Sequence, residues 1–407
     1  MNPRKPSGIS PRRVFSAEGP VPRQAVLGLE AEFSLLVDGV EQRPEEAFGH
    51  PAALLRHAEG RIVPRVGRSC HLPTGGALYF DTGVVEVATA LIEMEAPHGC
   101  ARAVRSLWEQ IAFVRAQLDG WETRRAQTLD LRGFSAHYNF SIPAAGIDGQ
   151  RRLRRLARLL CDVLPVPIML LAANRRSTAV GVRPRAGRME VTADFTPDVA
   201  LTNATVAFLA GVISETASWP NDTLTTAALA ERGLPLLAGF RPSKHSSRKG
   251  WRAHADDFER NPFSADPNAR DWLLTDGRRV SLRQIATETL AVFRRSVRRY
   301  ADRATFVHLR EVLAGTARSL LDFPDRPAAY DNVGRQIDWG RRRARPLPRS
   351  AYERVIQRII AHQPLRIGRA RYLVERMPGW YEFVFRDVKT GERRTFNLDE
   401  LVRRAVE

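Results

Sequence analysis

The stretch Val26-Leu27-Gly28-Leu29-Glu30-Ala31-Glu32-Phe33-Ser34-Leu35-Leu36-Val37-Asp38 places two glutamates one residue apart inside an otherwise apolar run. A strand puts residues i and i+2 on one face, so both carboxylates project together. Ionised groups on a strand flanked by Leu, Phe and Val lose hydration unless they meet cations, and a divalent metal is a common partner. The plain alternative is a strand edge open to water.

Three further segments repeat the device. In Leu78-Tyr79-Phe80-Asp81-Thr82-Gly83-Val84-Val85-Glu86-Val87-Ala88-Thr89, Tyr79 and Asp81 share a face and Glu86 follows a glycine-containing bend. In Phe134-Ser135-Ala136-His137-Tyr138-Asn139-Phe140-Ser141-Ile142, alternation sets His137, Asn139 and Ser141 against Tyr138, Phe140 and Ile142. In Gly187-Arg188-Met189-Glu190-Val191-Thr192-Ala193-Asp194, the shared face carries Arg188, Glu190, Thr192 and Asp194. A half-exposed sheet also alternates, but it typically offers Thr, Lys and Ser rather than carboxylates, an imidazole, an amide and an arginine. Oxygen donors with one imidazole suit Mg²⁺ or Mn²⁺ holding a nucleotide triphosphate, whereas zinc favours closely spaced His and Cys. The pattern predicts a concave sheet lined with metal ligands.

Composition fits an enzyme of this kind. A chain of 407 residues, 43% hydrophobic, can bury a large core and predicts one main domain with a smaller one. Cys70, Cys100 and Cys161 are odd in number and lack C-x-x-C spacing, which points to a reducing compartment. No apolar leader opens the chain and no apolar run approaches membrane-spanning length, so a cytoplasmic protein with no membrane partner is expected. The net charge of +18 is carried almost wholly by arginine, the lysines being Lys5, Lys244, Lys249 and Lys389. Its clusters, such as Arg151-Arg152-Leu153-Arg154-Arg155 and Arg341-Arg342-Arg343, lack interleaved aromatics, so nucleic acid is not the expected partner. They form either a solvated arginine-rich surface or a track for an acidic partner.

Organisation follows from punctuation and periodicity. Residues 1–22, with five prolines, read as a disordered basic tail. Helices are expected over Glu45 to Ala58, His98 to Leu118, residues 150–163, Asn203 to Ala217 and Leu282 to Ala301. Pro242 to Asp266 reads as a long functional loop. After a linker at Gly340 to Pro348, a helix near Ser350 to Ile360 and a hairpin turning at Lys389 to Glu392 form a small C-terminal α/β domain. The expected domains are therefore 23–345 and 346–407.

Several segments carry a family resemblance. Gly28-Leu29-Glu30-Ala31-Glu32-Phe33 resembles the G-x-E-x-E-F strand of glutamine synthetases and their relatives, and Glu86-Val87-Ala88-Thr89-Ala90 matches their E-V-A-T-A segment. His137-Tyr138-Asn139 with Ser141 resembles their H-x-[HN]-x-S strand. Asn174-Arg175-Arg176-Ser177 through Arg183, then Gly187-Arg188-Met189-Glu190-Val191, resembles the N-R-S…R…R-I-E-V-R stretch. Within that superfamily, Leu78-Tyr79-x-Asp81 followed by Glu86-x-Ala88-Thr89 is similar to the Pup ligase and Pup deamidase (depupylase) family, as is Ile337-Asp338-Trp339. The resemblance spans roughly residues 26 to 345. Thr192 stands where glutamine synthetases carry Arg, Glu190 follows their pattern where Pup ligases differ, and Gln127-Thr128-Leu129-Asp130-Leu131 replaces an N-N-T-D-G-like segment. The chain resembles a divergent branch.

The resemblance implies a glutamine synthetase-like α+β fold, a curved antiparallel sheet backed by helices. It implies an ATP-dependent ligase using Mg²⁺, with Glu30, Glu32, Tyr79, Glu86, His137 and Glu190 at the metals. Asn139, Ser141, Arg183 and Arg188 would bind ATP or phosphate, Arg183 also serving catalysis, and Asp81 would be the catalytic base. The expected partners are a small acidic Pup-like or ubiquitin-like modifier protein and lysine-bearing targets. A deamidase or isopeptidase, or a small-molecule glutamate–amine ligase, is the alternative on the same fold. Depupylases carry a long insertion where Glu32 and Tyr79 are here joined by a modest stretch with one helix, which favours the ligase.

Overall fold

The computed structural model describes residues 24–65, 67–141, 146–245, 250–335 and 347–406. The tail at 1–22, the Ile337-Asp338-Trp339 segment and the linker as far as residue 346 lie outside the described residues.

The Glu30/Glu32 segment forms strand β1, Val26–Val37, at the middle of a large antiparallel sheet. Its neighbours on one side are β3 (Val84–Ala88) and β2 (Ala77–Asp81), then the short strands Ser69–His71 and Val63–Pro64. On the other side lie β4 (Leu129–Ser141), β6 (Arg188–Asp194), β5 (Ala179–Arg185) and β7 (Trp251–His254), with Ser243–Lys244 at the edge. Alternation sorts the faces as the sequence predicts: Leu27, Leu29, Ala31, Phe33 and Leu35 are buried while Glu30 and Glu32 stay half-buried.

Helices cover the apolar face, among them α2 (Gly146–Val163) and α3 (Pro165–Ala172). α1 (Gly99–Arg125) buries Val104, Leu107, Trp108, Ile111 and Val114, outrunning its expected end at Leu118. It packs with α4 (Val199–Ser218), which in turn packs against α5 (Leu282–Tyr300) and α6 (Arg303–Ala314). Asp198 caps α4 by accepting the Leu201 N–H at 2.9 Å. Contrary to the sequence expectation, α4 is long and apolar enough to cross a membrane, but 72% of its apolar window is buried in this core. α4 and α5 touch at Gly211, where a Cβ would fall 2.4 Å from the Val297 Cα. Only glycine permits that approach.

Two other expectations are corrected. The helix expected over Glu45 to Ala58 is two short helices, Pro44–Phe48 and Pro51–Leu54, because Gly49 turns left-handed (φ 71°) and Pro51 restarts the chain. Glu32 and Tyr79 are therefore joined by more than one helix. The expected loop from Pro242 to Asp266 contains β7, whose Trp251 to His254 pair with Val182 to Ala179. Sheet pairing satisfies a backbone that local composition left unassigned.

A second hydrophobic cluster gathers Tyr352, Ile356 and Ile359 of α7 (Ala351–Ile360) with Phe383, Phe385, Phe396 and Leu401. The expected hairpin pairs Glu382–Asp387 with Arg393–Asn397. It sits in a five-stranded sheet with Leu365–Ile367 and Ala370–Arg376, strands that the alternation in Tyr372-Leu373-Val374 could have signalled. Val26 and Ala90 of the main sheet region join this cluster.

A buried ion triad ties the two regions together. Arg102 on α1 donates from Nε to both Glu353 oxygens at 3.0 Å and from Nη2 to Glu109 Oε2 at 2.6 Å. Glu353 also accepts the Ser350 N–H at 2.8 Å, closing the α7 capping box. Arg102→Met is expected to destabilise the protein by about 3–5 kcal/mol in urea titration, because Glu353 would stay buried without its cation. Restoring part of that loss in Arg102→Met/Glu353→Gln would identify the stranded charge as the cause.

Candidate active site

Register brings the four polar segments onto one face. Glu30 lies opposite His137, and His137 opposite Thr192. In the next row, Glu32 lies between Ser135 and Glu86, and Glu86 lies opposite Tyr79. On the other side of Glu30, Gly28, Asn139, Glu190 and Arg183 form a row, followed by Ser141, Arg188 and Arg185. Directly opposed residues of antiparallel strands share a face. One continuous polar surface results.

Its two ends differ in charge. Glu30, Glu32 and Glu86 form an acidic patch around His137, whose Nδ1 is 3.2 Å from Glu30 Oε2 and whose Nε2 is 3.8 Å from Glu32 Oε1. Ser135 Oγ donates to Glu32. Burial opposes charging of His137, but the Glu30 hydrogen bond and the nearby carboxylates outweigh it and raise its pKa. Glu86 is 9% exposed; burial and the charges of Glu30, Glu32, Asp81 and Glu190 push its carboxyl up to about 9. Beside it, burial pushes the Tyr79 phenol up to about 12. It stays neutral.

The other end is basic. Arg183 pairs with Glu190, and Arg185 makes a two-pronged bond to the same carboxylate at 3.0 Å for each prong. Burial would raise the Glu190 pKa, yet these guanidiniums hold it below the usual carboxylate range. Arg188 Nε donates to Asn139 Oδ1 at 2.8 Å. Burial first, and then the charges of Arg183, Arg185 and Arg252 against that of Glu190, push His245 down to about 4.

β2 and β3 meet in a two-residue turn. Thr82 (φ 53°) and Gly83 (φ 97°) are both left-handed, the geometry that matches strand twist in a tight hairpin. The turn holds Asp81 exposed at the rim, with Thr82 Oγ1 donating to its Oδ1 at 2.8 Å.

Some expected residues have other contacts. Glu190, expected at the metals, has both oxygens engaged by arginine. Ser141, expected at the phosphates, instead accepts the Val26 N–H at 2.8 Å and fastens the start of β1. Asn174-Arg175-Arg176-Ser177 is a strap: Asn174 and Ser177 donate to Asp194, Arg175 donates to the Phe263, Ala265 and Phe323 carbonyls, and Arg176 pairs with Asp325. Arg65, Arg185 and Trp380 stand at the face without having been singled out in sequence. In so arginine-rich a chain only the alternation of Arg183 with Arg185 carried a signal.

Among the described residues no three His, Cys, Asp or Glu side chains gather at metal-ligand spacing. The donor chemistry nevertheless fits a hard divalent cation at Glu30, Glu32, Glu86 and His137, where burial first and the neighbouring carboxylates next oppose ionisation of Glu86, a cost that a bound cation would offset. Glu190, held by two guanidiniums, does not fit that role in this arrangement.

No family model matches the chain, and no curated protein matches it. Among solved structures, the crystal structure of the complex between Prokaryotic Ubiquitin-like Protein Pup and its ligase PafA aligns with 93% of this chain and 92% of that chain, at 11% identity and a TM-score of 0.43. So distant a likeness leaves the chemistry to be argued from the site itself.

Proposed function

We propose that this protein is an ATP-dependent carboxylate–amine ligase that joins a Glu- or Gln-type carboxylate of a small acidic protein modifier to a lysine. The observation that carries the reading is the two-ended face, acidic at Glu30, Glu32 and Glu86 and basic at Arg183, Arg185 and Arg188. A triphosphate needs both ends, because its charge must be neutralised and its terminal phosphoryl group held. Glu30, Glu32, Glu86 and His137 would hold Mg²⁺ or Mn²⁺, which would supply charge neutralisation. Arg183 and Arg188 would grip the phosphoryl oxygens, with Arg185 beside them. The substrate carboxylate would attack the γ-phosphorus and release ADP, leaving an acyl phosphate. The lysine ammonium would give a proton to Asp81, and the freed amine would attack the acyl carbon and expel phosphate, which would carry away the second proton. The similarity of the motif set to Pup ligases supports a protein modifier, and the +18 charge suits an acidic one.

Hydroxylamine trapping tests this reading. Full-length protein with ATP, Mg²⁺, hydroxylamine and a glutamate-terminated acidic peptide is expected to release ADP and form the peptide hydroxamate. Equal turnover with free glutamate would instead identify a small-molecule ligase. Cleavage of a preformed glutamyl–lysine isopeptide without ADP release would identify the hydrolase, and no response to any of these substrates would refute the assignment.

A further inference from the structure

The guanidinium of Arg65 lies between two aromatic rings at the acidic end of the face. It stands 5.2 Å from the Tyr79 ring centroid and 4.9 Å from that of Trp380, which the C-terminal region contributes. His71 packs edge-on against the same indole at 4.9 Å. Arg65 is half-buried, as are Arg183 and Arg185, while Arg102, Arg115 and Arg283 are buried, and each of these other five faces a carboxylate. Arg65 has no carboxylate partner among the described residues, and its Nη1 is buried without a hydrogen-bond partner. Ring contacts stabilise a cation by about 0.5–2 kcal/mol, whereas a buried donor left without an acceptor costs about 1–3 kcal/mol. A guanidinium beside aromatic rings still offers N–H groups in its own plane to a carboxylate.

We infer that Arg65, clamped by Tyr79 and Trp380, binds a substrate carboxylate. The inference rests on the ligase reading for its context. A glutamate-type terminus presents two carboxylates; one is activated, and the other needs a cation away from the phosphates. Arg183, Arg185 and Arg188 lie on β5 and β6, across β4, β1 and β3 from Tyr79 on β2. Arg65 is therefore separate from the phosphate end, and the C-terminal region completes the site through Trp380.

Direct binding tests the clamp without requiring turnover. In full-length protein, Arg65→Met and Arg65→Lys are each expected to weaken glutamate and glutarate binding by at least about tenfold by calorimetry, with tripolyphosphate binding unchanged. Glutamate should quench wild-type tryptophan fluorescence, and Trp380→Phe should remove that quench. Unchanged glutamate affinity in folded Arg65→Lys would overturn the inference, as would parallel loss of tripolyphosphate binding. If wild type binds glutamate through Arg65 but yields no ADP or hydroxamate, the ligase reading fails and the clamp stands.

Discussion

Asp81→Asn is expected to lower lysine adduct formation by about 10²–10⁴-fold while hydroxamate formation continues. Lysine is protonated at neutral pH and must lose its proton before attack, whereas hydroxylamine is already unprotonated. The acyl phosphate would form in both cases, since Asp81 stands at the rim of the face, away from the arginines of the phosphate end. Its position in the turn leaves one carboxylate oxygen bonded to Thr82 and the other available to an incoming amine. Raising the pH towards 10 should recover part of the adduct yield by deprotonating lysine in solution. Parallel loss of adduct and hydroxamate would remove Asp81 from the role of amine base and assign it to the phosphoryl-transfer step instead.

Glu86→Gln is expected to stabilise the protein in chelator and abolish its response to Mg²⁺. In the folded protein this carboxyl is pushed up to about 9, while the unfolded side chain ionises near the ordinary glutamate value of 4.5. Between those values the folded state binds more protons than the unfolded state, so stability falls as pH rises through that window. Glutamine has the shape of the protonated acid and does not titrate. In EDTA at pH 8 the variant should melt roughly 2 °C or more above wild type, with a flatter pH dependence. With Mg²⁺ the order reverses: wild type gains stability through binding, by about 2.7 kcal/mol at one hundred times Kd, and the variant does not. Mg²⁺-dependent ADP release should fall with it. A wild-type melting temperature that ignores both Mg²⁺ and pH would show that the acidic patch is no cation site.

Residue identity and the two-residue period decided much of this site before any fold was known. Because a strand alternates strictly, the sequence alone assigns Glu30, Glu32, Tyr79, Glu86, His137, Asn139 and Glu190 to polar faces opposite Leu29, Phe33 and Tyr138. The long helices and the C-terminal hairpin were legible for the same reason, since each carries a local period. Gly49 and Pro51 mark the break in composition, although the apolar positions on either side keep a helical spacing across it.

Tertiary structure decided which groups meet. Strand order sets Glu190 against Arg183 and Arg185, turning an expected metal ligand into the anchor of the basic end. Pairing of β4 with β1 draws Ser141 to the β1 backbone, and pairing with β5 sets Trp251 one strand in from the sheet edge. Packing of the C-terminal region carries Trp380 to Arg65, a contact between residues far apart in the chain. Periodicity fixes the face on which a side chain lies, because that depends on its own backbone. Its partner depends on register and on the strand that arrives beside it, and those are set by burying the whole apolar face at once.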